Sequence, residues 1–174
     1  MKYVKLFESF KTENIRNDEE YMNAIAASDL QTINRLVKIK AISNGYSIGP
    51  VYHGTDEEFN YFDISKVSPM LRDENNMHFY FAFKKSDAQS PKSGYSKPKR
   101  VIKAYIRGTV QGSYPGEEDI LSPSNADYVR MGNFRISVKY PEQIKYADPI
   151  TYDNSGKVIP LSKRFDSKKK DMRF

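Results

Sequence analysis

Residues 50–63 read PVYHGTDEEFNYFD, and the change of pattern on either side of them decides the class of the chain. Val51 and Tyr52 are β-prone, and they lead straight into His53, one of only two histidines, with Gly54 and Thr55 directly behind it. A strand that delivers a His beside a Gly is suited to laying backbone against a ligand, because Gly has no Cβ to block close approach.

Upstream of this stretch the pattern is helical. Asn17 is placed to cap DEEYMNAIAA, with Glu20 three residues on completing a capping box. A second helix is expected to start at Ser28 or Asp29, to carry one apolar stripe of Leu30, Ile33, Leu36 and Val37, and to stop at Asn44-Gly45. Downstream, PVYHG, MHFYFAF, RVIKAYIRGTV and FRISVKY read as short strands divided by Gly, Pro, Ser and Asn clusters. In RVIKAYIRG, Val101, Lys103, Tyr105 and Arg107 alternate with Ile102, Ala104 and Ile106, as expected of a strand with one buried face. The spacing therefore predicts an α+β fold in three parts: a helical segment over 1–48, a β core over 49–150, and a turn-rich basic tail over 151–174.

With 174 residues the chain suits one domain with an appendage, and its 13 Tyr and 10 Phe are the natural material for the core. The absence of Cys excludes disulfides and thiolate metal sites, and two His make a poor zinc site, so no metal is expected. No apolar run is long enough to span a bilayer and MKYVKLFESF lacks the apolar core of a secretory signal, so a soluble protein with no membrane partner is expected. The net charge of +6 is uneven: Lys163, Arg164, Lys168, Lys169, Lys170 and Arg173 crowd the tail, and the stretch from Lys92 to Arg107 holds no acid. Both stretches suit either phosphate contact or a solvated surface. A nucleophile elbow, a Walker loop and a Rossmann glycine pattern are all missing, which sets aside the common hydrolase and nucleotide-fold readings.

Taken in order, AISNGYSIGPVYHGT, the pair Phe59 and Phe62, FYFAFKKSDA, VIKAYIRG and the closing run from VKYPEQIKYADPITYDNSGKVIPLSKRF to DMRF resemble the ADP-ribosyltransferase-like domains of bacteriophage and mobile-element polyvalent proteins. The likeness runs from residue 41 to residue 174, and its closing part is the most specific. It implies a split, mostly antiparallel β core with NAD as co-substrate in the cleft, attacked at C1′ of the nicotinamide ribose through an oxocarbenium-like transition state. By the same resemblance His53 holds the adenosine ribose, Gly54 brings backbone to the nicotinamide carboxamide, Tyr80 stacks on the ring, and Thr55 is a further cofactor-binding candidate. Pro91 stands where the family has a second Tyr, which makes Tyr95 its displaced equivalent.

The family's catalytic Glu falls on Arg135, and a cation there would repel a developing oxocarbenium ion. Glu142 or Gln143 is left as a substitute, with Glu117 and Glu118 of YPGEED as further candidates. The resemblance thus implies a phage protein that binds NAD and transfers ADP-ribose to a host protein or nucleic acid, in the cytoplasm of the infected bacterium or as a virion component. Two alternatives stand beside it: a non-catalytic virion or interaction protein that keeps the fold, and a nucleic-acid-binding module. MKYVKLFESF also resembles the amphipathic leaders of tailed-phage proteins that are cut after Leu6-Phe7-Glu8-type sequences, so residues 1–10 are a candidate prohead-targeting leader.

Overall fold

Two helices open the chain: α1 (Lys2–Ala26) and α2 (Leu30–Ser43). The structure is a computed structural model that describes residues 2–67, 79–90, 97–112, 128–131 and 135–174. Asn17, expected as a cap, lies inside α1, because neither Gly nor Pro interrupts the run from Lys2 to Ala27. The next boundary follows the sequence. The Asp29 carboxylate accepts the Thr32 N–H at 3.1 Å to cap α2. At its far end Gly45 takes φ +85°, and Tyr46 N–H reaches back to the Ala41 carbonyl at 2.9 Å. The expected stripe is buried at Ile33, Leu36 and Val37, while Leu30 stays exposed at the helix start.

The rest is a sheet built from β1 (Ile48–Thr55), β2 (Phe79–Ala82), β3 (Arg100–Ile106), β4 (Thr109–Gly112), β5 (Tyr128–Met131), β6 (Arg135–Val138) and β7 (Ile144–Tyr146), with a short helix α3 (Lys85–Gln89) after β2. The strand order is β4-β5-β6-β2-β1-β3-β7, and every pairing is antiparallel except β4 with β5. The fold is thus α+β, with a mostly antiparallel core behind an N-terminal helical segment. The middle of the sheet is narrow. β1 holds β3 in continuous register from Val51–Ala104 to Thr55–Arg100, but it meets β2 at one registered pair, Tyr52 with Ala82.

Alternation along the strands sorts two cores onto the two faces. The first contains Val51, Phe79, Phe81, Ile102, Ala104, Ile106, Ile136, Val138 and Ile144, closed by Phe62 and Met172. The second lies under the helices and joins Tyr21, Ile33, Leu36, Val37 and Tyr46 to Tyr105, Leu161 and Phe165. β3 accordingly buries both faces near its end, since Tyr105 sits in the second core while Ala104 and Ile106 on either side of it sit in the first. The tail is turn-rich, as its composition indicates, yet it is structural: Arg164, Phe165 and Met172 are almost fully buried.

Candidate functional site

His53 stands where β1 parts from β2. The single pair of Tyr52 with Ala82 sets Phe81 opposite His53 and Tyr80 opposite Gly54. His53 Nδ1 lies 2.8 Å from the Tyr80 carbonyl oxygen, so the seam is bridged by a side chain where the ladder gives out. A carbonyl only accepts, so this nitrogen carries the proton, and in the neutral ring Nε2 is the acceptor.

The ring is fixed by aromatic neighbours. Phe62 meets it edge-on with centroids 5.0 Å apart, and Phe81 lies at 5.5 Å. Phe62 in turn packs on Phe59 and Phe79, each at 5.0 Å. These rings flank a cavity of about 770 Å³ whose walls include His53, Thr55, Phe59, Phe62, Phe79 and Tyr80. Its volume falls in the range of sites for drug-sized ligands and cofactors. Three carboxylates, Glu57, Glu58 and Asp63, and one ammonium, Lys66, also face it. Asp63 is partly committed, accepting the Ser65 N–H at 2.8 Å, and Glu58 lies 3.4 Å from Arg100.

The residues singled out from the sequence are divided by this geometry. His53, Thr55 and Tyr80 share the cavity. Tyr80 sits between the buried Phe79 and Phe81, so alternation turns its ring to the face opposite theirs, and its carbonyl is what holds His53. The rings packed beside His53 are those of Phe62 and Phe81. Gly54 has its expected close approach, but to the chain itself: a Cβ there would lie 2.2 Å from the Ala88 carbonyl oxygen and 2.8 Å from Pro98 Cγ. The missing side chain makes room for α3.

Glu142 and Gln143 are not among the walls of the cavity. They belong to a 3-10 turn, Pro141–Gln143, between β6 and β7. Gln143 is buried, its Oε1 accepting the Tyr140 N–H at 2.9 Å and its Nε2 donating to the Arg107 carbonyl at 3.1 Å, so its amide orders the turn. The Glu142 carboxylate lies 4.0 Å from Lys170. Arg135 opens β6 opposite Ala82, two positions along from the pair of Ser137 with Tyr80. Tyr95, Glu117 and Glu118 lie outside the described residues.

Sequence reasoning passes over Phe62 and the acids at 57, 58 and 63 as site residues. The signal is present in the quoted stretch itself, where Phe59 and Phe62 are spaced to meet each other and acids fill the turn behind Thr55. Among the described residues, no His, Cys, Asp or Glu cluster is arranged to hold a metal ion, and no helix is long and apolar enough to cross a membrane. The chain matches no family model, no curated protein and no solved structure.

Proposed function

We propose that the chain is an ADP-ribosyltransferase-like phage protein that binds NAD in the cavity beside His53 and transfers ADP-ribose to a host macromolecule. The observation that carries this reading is the bond from His53 to the Tyr80 carbonyl at the mouth of an aromatic cavity, at the place where the central strands separate. The imidazole acceptor suits a ribose hydroxyl, and the edges and faces of Phe59 and Phe62 suit a flat base. In the transfer step the glycosidic bond of the nicotinamide ribose breaks, the electron pair leaves with nicotinamide, and a nucleophile of the acceptor adds at C1′ and gives up its proton. A carboxylate near C1′ would stabilise the charge that develops.

A second reading has its own support. Arg135 occupies the expected carboxylate position, and Glu142 and Gln143 are engaged in a surface ion pair and a turn. These favour a virion or interaction protein that keeps the fold and the cavity without the chemistry. Calorimetry with NAD, followed by incubation of labelled NAD with protein and bacterial lysate, separates the two. The first reading expects binding, a loss of about tenfold or more in affinity for His53→Ala, and label on a macromolecule. Binding without label supports the second reading. No heat of binding overturns the NAD assignment.

A further inference from the structure

The loop from Asp56 to Asp63 forms one side of the cavity, and it is held from behind. The Asn60 carbonyl accepts the Met172 N–H at 2.7 Å, and the Phe59 carbonyl accepts the Tyr146 hydroxyl at 2.8 Å. Those two partners are joined to each other, because the Tyr146 N–H donates to the Met172 carbonyl at 2.9 Å. Met172 thus serves the edge strand β7 with its carbonyl and the cavity loop with its N–H, while its side chain is buried in the first core with Phe62.

The segment around Met172 is braced in turn. Arg173 clasps Asp171 through Nε at 3.0 Å and Nη2 at 2.7 Å, and its Nη1 donates to the Tyr152 carbonyl at 3.3 Å. Lys145, the neighbour of Tyr146 on β7, donates from Nζ to the carbonyls of Lys169 at 2.6 Å and Asp171 at 2.9 Å. Thr151 Oγ1 donates to the Arg173 carbonyl at 3.2 Å. A backbone segment tied at this many points moves little, and what it holds moves little with it.

We infer that the segment Lys169–Arg173 is a positioning element of the ligand cavity, setting the place of the Phe59–Phe62 wall against His53 through Met172 and Tyr146. The functional form of this inference rests on the NAD reading above, and the mechanical form does not. The sequence DMRF then has a physical role: Asp171 and Arg173 close a tight bracket that presents the Met172 N–H outward to Asn60. Tyr146 is the second tie, and burial raises its phenol above the ordinary value, so the hydroxyl keeps the proton it donates.

Two substitutions test this, one that leaves the packing intact and one that truncates a buried side chain at a cost in stability. Tyr146→Phe removes one hydroxyl and keeps the ring, and Met172→Ala thins the anchor. Leu161→Ala, in the second core, is the control for general loss of stability. Amide hydrogen exchange of the full chain is expected to speed up by about tenfold or more in residues 57–62 for Tyr146→Phe and Met172→Ala, and not for Leu161→Ala. NAD affinity is expected to fall about fivefold in the first two and to hold in the control, all measured where circular dichroism shows native protein. Unchanged exchange in the loop, or equal change in the control, overturns the positioning role. Faster exchange with no NAD binding even in the wild type keeps the mechanical role and overturns the NAD reading. Faster exchange with unchanged NAD affinity overturns the coupling of the segment to the ligand.

Discussion

The two cores on opposite faces of the sheet solve different problems. The first gathers phenylalanine rings at the seam of β1 and β2, where Phe62 meets Phe59 and Phe81 edge to face and a cavity lies beside His53. The second packs beside a buried cation. Arg164 is 2% exposed, and its guanidinium donates to the carbonyls of Pro149 at 3.0 Å, Tyr146 at 3.1 Å and Asp148 at 2.8 Å, with the Tyr21 hydroxyl at 3.3 Å. A buried charge is tolerable only when its hydrogen-bonding capacity is met. Here the fork of Arg164 gathers carbonyls at the exit of β7 and ties them to α1. The comparison separates a region built to hold the chain together from a region that leaves room for something else.

The largest effect is expected from Arg164→Leu. The substitution takes the donor away from the Tyr146 and Asp148 carbonyls, leaves the Pro149 carbonyl to the Tyr21 hydroxyl alone, and cuts the link from Tyr21 of α1 to Arg164, so a loss of about 4 kcal/mol is expected. Urea denaturation measures it. Such a loss is a large part of the stability of a domain this size, so the variant is expected to unfold at far lower denaturant than the wild type. A change below about 1 kcal/mol would show that the carbonyls find water, and that the second core is no more closed than the first.

Gly54→Ala probes the boundary of the first region with a smaller expected effect. The new methyl would overlap the Ala88 carbonyl oxygen, a backbone atom that moves only with α3, and Pro98 blocks the other direction. Strain of this kind costs about 2 kcal/mol, read as a lower denaturation midpoint. Because Gly54 adjoins His53, ligand affinity should fall as well. In Arg164→Leu, by contrast, the protein that remains folded should bind as the wild type does. Equal affinity losses in the two variants would mean that the cores are not separable.

Much of the fold is readable because its elements carry their own signals. Asp29 caps a helix, Gly45 ends it, and Ile102, Ala104 and Ile106 alternate onto one face. His53 is also readable as the residue at the end of a strand. The tail is less legible, because a count of basic residues does not show where their charge goes: Arg164 is spent on carbonyls, and Arg173 is held against Asp171. The aromatic wall escapes the sequence for a related reason. Phe62 follows a turn, outside any strand periodicity, and only the path of the loop carries it to His53. Tyr80 is drawn to the site by position along the chain, and alternation decides which way its ring faces.

The smallest expected effect comes from Lys145, which couples the tail to β7. It is 1% exposed, and burial lowers its pKa to about 8, with Asp166, Asp171 and Glu142 working the other way. The unfolded chain holds this proton up to about 10.5, so between these values it binds more protons than the native state, and stability due to Lys145 rises with pH. Below about pH 8 both states are protonated and the cost of burying the ammonium stands in full. The buried tyrosines 21, 105 and 146 act in the opposite sense. Their raised pKa values give stability that is present below the ordinary value of 10.0 and lost as pH climbs past it. The useful comparison is therefore of wild type with Lys145→Met, near pH 7 and at about pH 9.5, below the tyrosine range. The wild type is expected to gain on the variant at the higher pH. Parallel behaviour would mean that the two carbonyls hold the ammonium charged throughout, making Lys145 a fixed cation like Arg164 and extending the charge-closed style of the second core up to the wall of the cavity.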